Sequence, residues 1–481
     1  MTGLPDHSQG EPTPPSQTES SRQRGGAGSG TSPPVKTAVG FEGRPSSREP
    51  KIERVFGIDF GEETTRIAVL RNGKPHFATS GIFPSEVNVE PTEWLDDANT
   101  PVLMGLRSKL LKPEYLFPHA EAAVCSFFKK VHRCINNAAN SAHPKAVLTV
   151  PAYYSSHQRV RLKRCAESCG LQIIGLINDH AAVVYSFVAG RPNRSGNILV
   201  LSIGADAVST AVVKVQGSLI ETVCSRSKTG IGGAHVVDAV ADAMLQKFDN
   251  GSKFLDLSLD QLLVWRAHVQ DVLFKHAAGH EQIMIGDVEN RSIIRMPRNE
   301  LLDILSAGFK SALDLANQVV EDSGINRTQF DFVLIVGGIV GNSVVAKYLA
   351  QSFPRLHRKI LNADMAASFG AALRAGVLEK QIEEPLIWDL LTHPVYKIIG
   401  TSRQIIIPSG ISISATVQTT MSSAGSLIGQ EVDNEMCVIP TENVVSLTRL
   451  DKPVSIELGV TADGIIELTT LAEATIWLTV I

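Results

Sequence analysis

Asp59 and Gly61 close an apolar run in "VFGIDFGEETTRIAV", and Glu62, Glu63, Thr64 and Thr65 follow them. An Asp-x-Gly turn between two strands cradles phosphate with backbone N–H groups and hydroxyls. Two carboxylates in that turn oppose such a ligand. A carboxylate ~4 Å from a phosphate oxygen costs about 4 kcal/mol at an effective dielectric near 20, roughly a thousandfold in affinity. A second turn of this kind lies in "LVLSIGADAVSTAVV", where Gly204 is followed by Ala205 and Asp206. Further turn glycines stand at Gly232 and Gly233 ("TGIGGAHVVDAV") and at Gly337 and Gly338 ("VLIVGGIVGN").

The elements that must position these turns are legible as periodicity. From Ile52 to about Lys380, apolar strands such as "KAVLTV" and "FDFVLIV" alternate with amphipathic helices such as "HVVDAVADAMLQKF". Each of the two strand-turn-strand units opens a stretch of similar layout. The expectation is an α/β chain with two duplicated lobes and a central cleft over 51–382. "EEPLIWDLLTHP", 383–394, reads as a linker, and 395–481 alternates at period two with turns at "PSG" and "ADG", a small all-β domain. Residues 1–50 are rich in Pro, Ser, Gly, Thr and Gln and read as a disordered low-complexity tail.

Composition excludes several classes. A net charge of -4 and 20% charged residues over 481 positions give no polycationic surface for binding nucleic acid or anionic membrane in bulk. Six cysteines are scattered without a CxxC pair or zinc spacing, and they read as reduced, mostly buried thiols, with Cys165 and Cys169 facing the core. No apolar run reaches 18 residues and no secretory signal pattern opens the chain, so a cytoplasmic location is expected.

Seven segments, taken in order, resemble the seventy-kilodalton heat-shock (DnaK-like) family of two-lobed, actin-like ATPases. They are "GIDFGEETTRIAV", "AVLTVPAYYSSHQRVRLKRCAESCGLQIIGLINDHAAVVYSF", "LVLSIGADAVSTAVV", "TGIGGAHVVDAV", "VLIVGGIVGN", "DMAASFGAALRAGVL" and "WDLL". The β segment is similar to that family's peptide-binding sandwich in "IIIPSGISIS" and "TADGIIEL", shortened and with the helical lid expected to be absent. The resemblance implies a nucleotide site built from Asp59, Gly61, Thr64, Thr65, Asp179 and Gly204. Gly232, Gly233, Gly337, Gly338 and Asp364 complete it.

Departures fall on the residues that carry hydrolysis. Glu62 and Glu63 replace two phosphate-facing threonines, Ser202 replaces the metal-facing Asp, and Ala205 and Asp206 replace glycines, putting a β-carbon and a charge where a phosphate would lie. Asp179 keeps a carboxylate on a shorter arm, and His180 replaces the proline that follows it. Gln270, Leu273, Phe274 and Ala277 stand in the adenosine clamp. Ile339 and Gly341 replace a Ser and an Arg, and either Lys109 or Arg107 could supply the catalytic lysine.

For Asp59 a vestigial Mg²⁺-water ligand and a strand-end turn residue are equal readings. For the paired glycines, tight turns are favoured over ligand contact. An Asp179–His180 acid–base pair has no nucleophile nearby. The basic helix with Arg159, Arg161, Lys163 and Arg164 reads first as a solvated face, with ribosomal RNA contact as the sharper alternative. No catalytic residue and no metal site are assigned. The expected protein is a pseudo-ATPase co-chaperone, with weak ATP binding or none, no structural metal, no membrane and no sequence-specific nucleic acid. The departures resemble the Ssz-type subunit of the ribosome-associated complex. That resemblance implies a zuotin-like J-domain partner, indirect ribosome association and support of a separate active chaperone during nascent-chain folding. An active ATP-driven chaperone and a nucleotide-independent peptide-binding module are the alternatives.

Overall fold

The computed structural model describes residues 54–78, 83–84, 87–88, 102–103, 120–139, 141–189, 195–247, 258–275, 282–287, 292–353, 357–360, 365–383, 386–399, 401–413, 415–421, 426–432, 435–438 and 454–470. The low-complexity tail, Arg107, Lys109, Ala277 and Asp364 lie outside them.

In the first lobe, β1 (Val55–Phe60) turns through Gly61, Glu62 and Glu63 into antiparallel β2 (Thr64–Arg71), followed by β3 (Lys74–Phe77). Helix α1 (Ala120–Ala139) precedes β4 (Lys145–Val150), and α2 (Ser156–Glu167) connects β4 to β5 (Gln172–Asn178). The sheet runs β3-β2-β1-β4-β5, with β4 parallel to β1 and β5 parallel to β4. Helix α2 starts where the sequence marks it. Ser155 Oγ accepts from the Gln158 N–H at 3.3 Å, and the Ser155 N–H donates to Gln158 Oε1 at 2.9 Å, a reciprocal cap that satisfies two N-terminal donors. Helix α3 (Asp179–Val188) follows β5 directly.

The second lobe repeats the pattern. Strands β6 (Gly196–Ile203), β7 (Ala207–Gln216) and β8 (Leu219–Thr229) form an antiparallel triplet. Then come α4 (Gly233–Gln246), α5 (Leu259–Lys275), the hairpin β9 (Gln282–Asp287) and β10 (Ser292–Pro297), and α6 (Arg298–Asp322). Strand β11 (Phe330–Val336), α7 (Ser343–Gln351) and β12 (His357–Ile360) complete the lobe, and α8 (Ala366–Leu378) returns to pack on β1, β2 and β4 of the first. Strands β8-β7-β6-β11-β12 lie in the same relation as β3-β2-β1-β4-β5, three antiparallel strands and then two parallel ones, so the expected duplication is present. Strand β6 buries Ile198, Leu199, Val200, Leu201 and Ile203 on alternate faces, because helices cover both sides of the sheet. Helices α3 and α8 share one core with residues of both sheets, among them Val55, Val147, Ala182, Val200, Ala211 and Ala371. On α6, Leu301, Leu305, Phe309, Ala312, Ala316 and Val319 recur at three and four residues and are all buried.

The linker segment contributes β13 (Leu386–Trp388), which adds to the second lobe's sheet parallel to β8. Beyond it lie two small antiparallel sheets. One runs β15 (Ser402–Ile407), β14 (Val395–Ile399), β17 (Ser426–Val432), β18 (Glu435–Val438), and the other β16 (Thr416–Met421), β19 (Val454–Val460), β20 (Ile466–Thr470). Val395, Ile407 and Ile428 from the first sheet bury against Leu458, Val460 and Ile466 from the second, which makes a sandwich of the pair.

Candidate functional site

A cavity of about 370 Å³ opens between the lobes. The first strand-turn-strand loop contributes Asp59, Gly61, Glu62, Glu63 and Thr64 to its wall, and the second contributes Ser202, Gly204 and Ala205. Asp179, Gly233, Gln270, Gly337, Gly338 and Ile339 also line it. The two loops foreseen from sequence therefore converge on one space. Thr65 does not take part: it is fully buried, registered against Phe60 in the hairpin. Gly232 also lies outside the lining, as a turn residue whose N–H donates to the Asp206 carbonyl at 2.9 Å.

The answer to the two carboxylates is geometric. Glu63 Oε1 receives Arg266 Nη2 of α5 at 3.0 Å, and Gln270 Nε2 of the same helix reaches Glu63 Oε2 at 3.5 Å. Arg266 Nε also pairs with Asp238 of α4. Burial works against the Arg266 charge, but the Asp238 and Glu63 carboxylates outweigh it and raise its pKa above the ordinary value. Glu63 is thus neutralised from the opposite lobe, and the simple expectation of a bare repelling charge is corrected at this residue. Glu62 lines the cavity beside it.

Asp59 is held from within its own sheet, accepting from Thr149 Oγ1 of β4 at 2.7 Å. Of the two substitutions in the second loop, Ala205 alone lines the cavity. Asp206 is off the lining, its Oδ1 lying 3.9 Å from His235 Nε2 on α4. Backbone donors at the start of α4 are already used: Gly233 N–H donates to the Gly204 carbonyl at 2.7 Å and Ala234 N–H to the Ala205 carbonyl at 2.9 Å. These are the groups with which a helix N-terminus meets an anion. Ile339 packs on Gly233, where an added β-carbon would lie 2.9 Å from its methyl.

Among the glycines, the turn reading is right for Gly337. It has φ +129°, and a β-carbon there would lie 1.9 Å from the Ile203 carbonyl oxygen. Gly338, by contrast, opens onto free space in the cavity. Gly341 ends the short 3-10 turn that Gly338 begins. Of the adenosine-clamp positions, Gln270 faces the cavity, whereas Leu273 is buried in the second lobe's core; the Phe274 side chain lies outside the described part.

Asp179 and His180 point to different places, so no acid–base pair forms. Asp179 lines the cavity, while the buried His180 directs Nε2 to Thr222 Oγ1 at 3.1 Å and to Asp389 Oδ1 at 3.3 Å. Asp389 comes from the linker, and its Oδ2 accepts from Asn178 Nδ2 at 2.6 Å. Burial pushes the Asp389 carboxyl up, but His180, the Leu390 N–H and Arg159 together hold it below the usual range. Arg159 completes the cluster, donating to Asn178 Oδ1 at 2.7 Å and to the Asp463 carbonyl at 3.1 Å.

The basic helix is a solvated face only at Arg164, which is exposed. Arg159 is 3% exposed, Lys163 pairs with Asp463 at 3.3 Å, and Arg161 with Glu121 at 3.5 Å. Helix α2 is where the C-terminal sandwich docks: Ser156 N–H donates to Gln430 Oε1 at 2.8 Å, and Ile466 N–H to Ser156 Oγ at 2.9 Å. Sequence reasoning missed Arg266, Asp238 and Asp463. Arg266 lies one helical turn before Gln270, which was already a candidate, and that spacing was the available signal. Among the described residues, no group of three His, Cys, Asp or Glu side chains could hold a metal, and no helix is long and apolar enough to cross a membrane.

Two sheets of matching topology, each presenting a strand-turn-strand loop to a shared cleft, define the class of two-lobed, actin-like ATPase folds. The chain belongs to the Hsp70 family: the family described as "Hsp70 protein" matches residues 111–432. Among similar proteins, an SSB heat shock protein of Pyricularia oryzae is 27% identical over 51% of this chain and 41% of its own length. Chaperone protein DnaK of Carsonella ruddii is 23% identical over 70% of this chain and 65% of its own. The ribosome-associated molecular chaperone SSB of Candida glabrata is 25% identical over 58% of this chain and 48% of its own. The chain thus spans from about two fifths to just under two thirds of these relatives.

Proposed function

We propose that this chain is a pseudo-ATPase of the Hsp70 family, acting as a cytoplasmic co-chaperone that supports a J-domain partner at the ribosome. The observation that carries it is the Glu63–Arg266 pair: a position that would face phosphate is tied instead to the opposite lobe. Magnesium–ATP, the ligand of the fold family, fits these residues poorly. Ser202 offers no carboxylate from the second loop, Asp59 is engaged by Thr149, and Ile339 covers Gly233. Phosphoryl transfer depends on metal and donors placed about the transferring group. With those positions altered together, the cleft serves as a rigid core between the lobes, and ATP binds weakly or not at all.

The names of the relatives support the ribosomal side, two of the three being SSB proteins and one of them called ribosome-associated. In this reading the J-domain protein is zuotin-like and a separate, active chaperone of the same family does the ATP-driven work. A second reading, a nucleotide-independent peptide-binding module, is favoured by one feature. Strand β15 is terminal in its sheet among the described residues and exposes Ile405 by 55%, a surface suited to strand addition. Native-lysate recovery of the tagged full chain separates the two. A J-domain protein near equal stoichiometry, together with ribosomal proteins, is the expected result; a spread of unrelated polypeptides without a J-domain protein would replace it with the second reading.

A further inference from the structure

Cys125 on α1 meets Cys165, in the last turn of α2, and Cys169, just past that helix. The Cys169 thiol donates to the Cys125 carbonyl at 3.0 Å. Ser168 Oγ lies between two of the sulfurs, 3.5 Å from Cys125 Sγ and 3.7 Å from Cys169 Sγ, and donates to the Cys165 carbonyl at 2.9 Å. Cys125 Sγ in turn lies 3.8 Å from the Cys165 carbonyl. Cys165 is 1% exposed and Cys169 8%, while Cys125 is half-buried and Ser168 exposed, so small solutes reach the cluster from the Ser168 side.

The three thiols are chemically unequal. Hydrogen bonding from the Cys165 thiol, helped by Ser168 and Cys169, pulls the Cys125 thiol down to about 6 against the effect of burial. The same bond to Cys125, together with burial, pushes Cys165 up, and burial pushes Cys169 up. Cys125 is therefore the thiol of the three that gives up its proton first. A low-pKa, accessible cysteine with a second thiol in reach is the arrangement that peroxides oxidise selectively. Three thiols packed merely as small apolar side chains would leave Cys125 as inert as any buried cysteine.

We propose that Cys125 and Cys169 form a peroxide-sensitive pair that closes an intramolecular disulfide between α1 and the turn ending α2. The Cys125 thiolate attacks one oxygen of hydrogen peroxide. The S–O bond forms as the O–O bond breaks, and the departing hydroxide takes a proton and leaves as water. Cys125 is then a sulfenic acid, its sulfur oxidised by two electrons. The Cys169 thiol turns from the Cys125 carbonyl to the Cys125 sulfur, attacks it and loses its proton through Ser168. The S–O bond breaks and a second water departs. Two thiols and one peroxide give one disulfide and two waters. Cys165 stays a thiol throughout, as the donor that stabilises the Cys125 thiolate. The bond pins to α1 the C-terminal end of the helix whose N-terminal half holds the sandwich through Ser156 and Arg159.

The test uses the full-length wild-type chain, reduced and then exposed to a few equivalents of hydrogen peroxide. Non-reducing digestion with trypsin and a glutamate-specific protease cuts after Glu167 and separates Cys165 from Cys169. Mass spectrometry is expected to find Cys125 linked to Cys169. Before oxidation, Cys125 should alkylate about ten-fold faster than Cys134 at neutral pH. In Cys169→Ser, dimedone should trap a sulfenic acid at Cys125. Linkage to Cys165, no linkage at all, or alkylation of Cys125 no faster than Cys134 in the unmodified chain would overturn the proposal; the mapping and the alkylation need no variant to fold.

Discussion

Glu63 and Arg266 stand 203 positions apart in the chain and meet at 3.0 Å across the cleft, one in the first lobe's loop and the other on a second-lobe helix. Because Arg266 also holds Asp238, it acts as the centre of a partly buried three-charge bridge. Arg266→Ala is expected to cost about 1–2 kcal/mol in urea unfolding, more than an exposed pair, because two partly buried carboxylates lose their cation. A double-mutant cycle with Glu63→Gln should return a coupling of about 0.5–2 kcal/mol. Strict additivity would mean that the bridge contributes nothing to holding the lobes together.

Opening the loop should admit nucleotide without restoring chemistry. Glu62→Thr with Glu63→Thr removes two carboxylates and frees Arg266 toward the cavity. Calorimetry is expected to show magnesium–ATP binding strengthened by about ten- to a thousandfold, the range set by the Coulomb estimate for one nearby like charge. Hydrolysis should stay absent while Ser202 holds the place of the acid. Unchanged affinity would move the blockade from the loop to Ile339 and the altered clamp.

Asp389 ties the linker to the first lobe, so Arg159 and Asn178 are predicted to matter for docking of the sandwich. Arg159→Ala leaves a buried carboxylate short of a cation and should cost about 3–5 kcal/mol. Limited proteolysis should then cut first in the segment after Leu386. A cutting pattern like that of the unmodified chain would count against the network as the docking element.

The same carboxyl sets a pH dependence. Its pKa is lowered on folding by His180, the Leu390 N–H and Arg159, which overcome burial. A depressed folded value means that its stabilisation is full above the ordinary aspartate value near 4 and is lost as the pH falls through the lower folded value. Fluorescence of Trp388, on the docked strand, should change across that acidic window in the parent chain, and the change should shrink in Asp389→Asn. An identical profile in both would remove Asp389 from the account.

Local signals were enough for the lobes, the sandwich and the cleft. Period-two runs and glycine turns announce strands and loops, and the repeat of one strand-turn-strand pattern announces the duplication. Long-range pairings were out of reach. The charges of α2 look solvated in sequence because Asp463, which pairs with Lys163 and holds Arg159, lies 300 residues further along the chain. Glu63 looked repulsive because its partner belongs to the other lobe. Leu273 was placed at the site by alignment with a clamp, yet its side chain faces the core on a helix where Gln270, three residues earlier, faces the cavity.

The two neighbouring glycines of "VGGI" should respond in opposite ways. Gly337→Ala forces a β-carbon into the Ile203 carbonyl at a positive φ and should cost more than about 2 kcal/mol or prevent folding. Gly338→Ala meets nothing within 4 Å and should fall within about 1 kcal/mol of the parent. Thermal unfolding of the two variants side by side reads the contrast directly; equal melting temperatures would refute the turn assignment.

Steady-state ATP turnover by the purified full chain, measured with and without magnesium after removal of contaminating chaperones, tests the central claim most directly. A cleft whose loop is bridged by Glu63 and Arg266, and whose second loop offers Ser202 in place of an acid, should give a rate indistinguishable from buffer at every ATP concentration. A magnesium-dependent rate that saturates with ATP would contradict it.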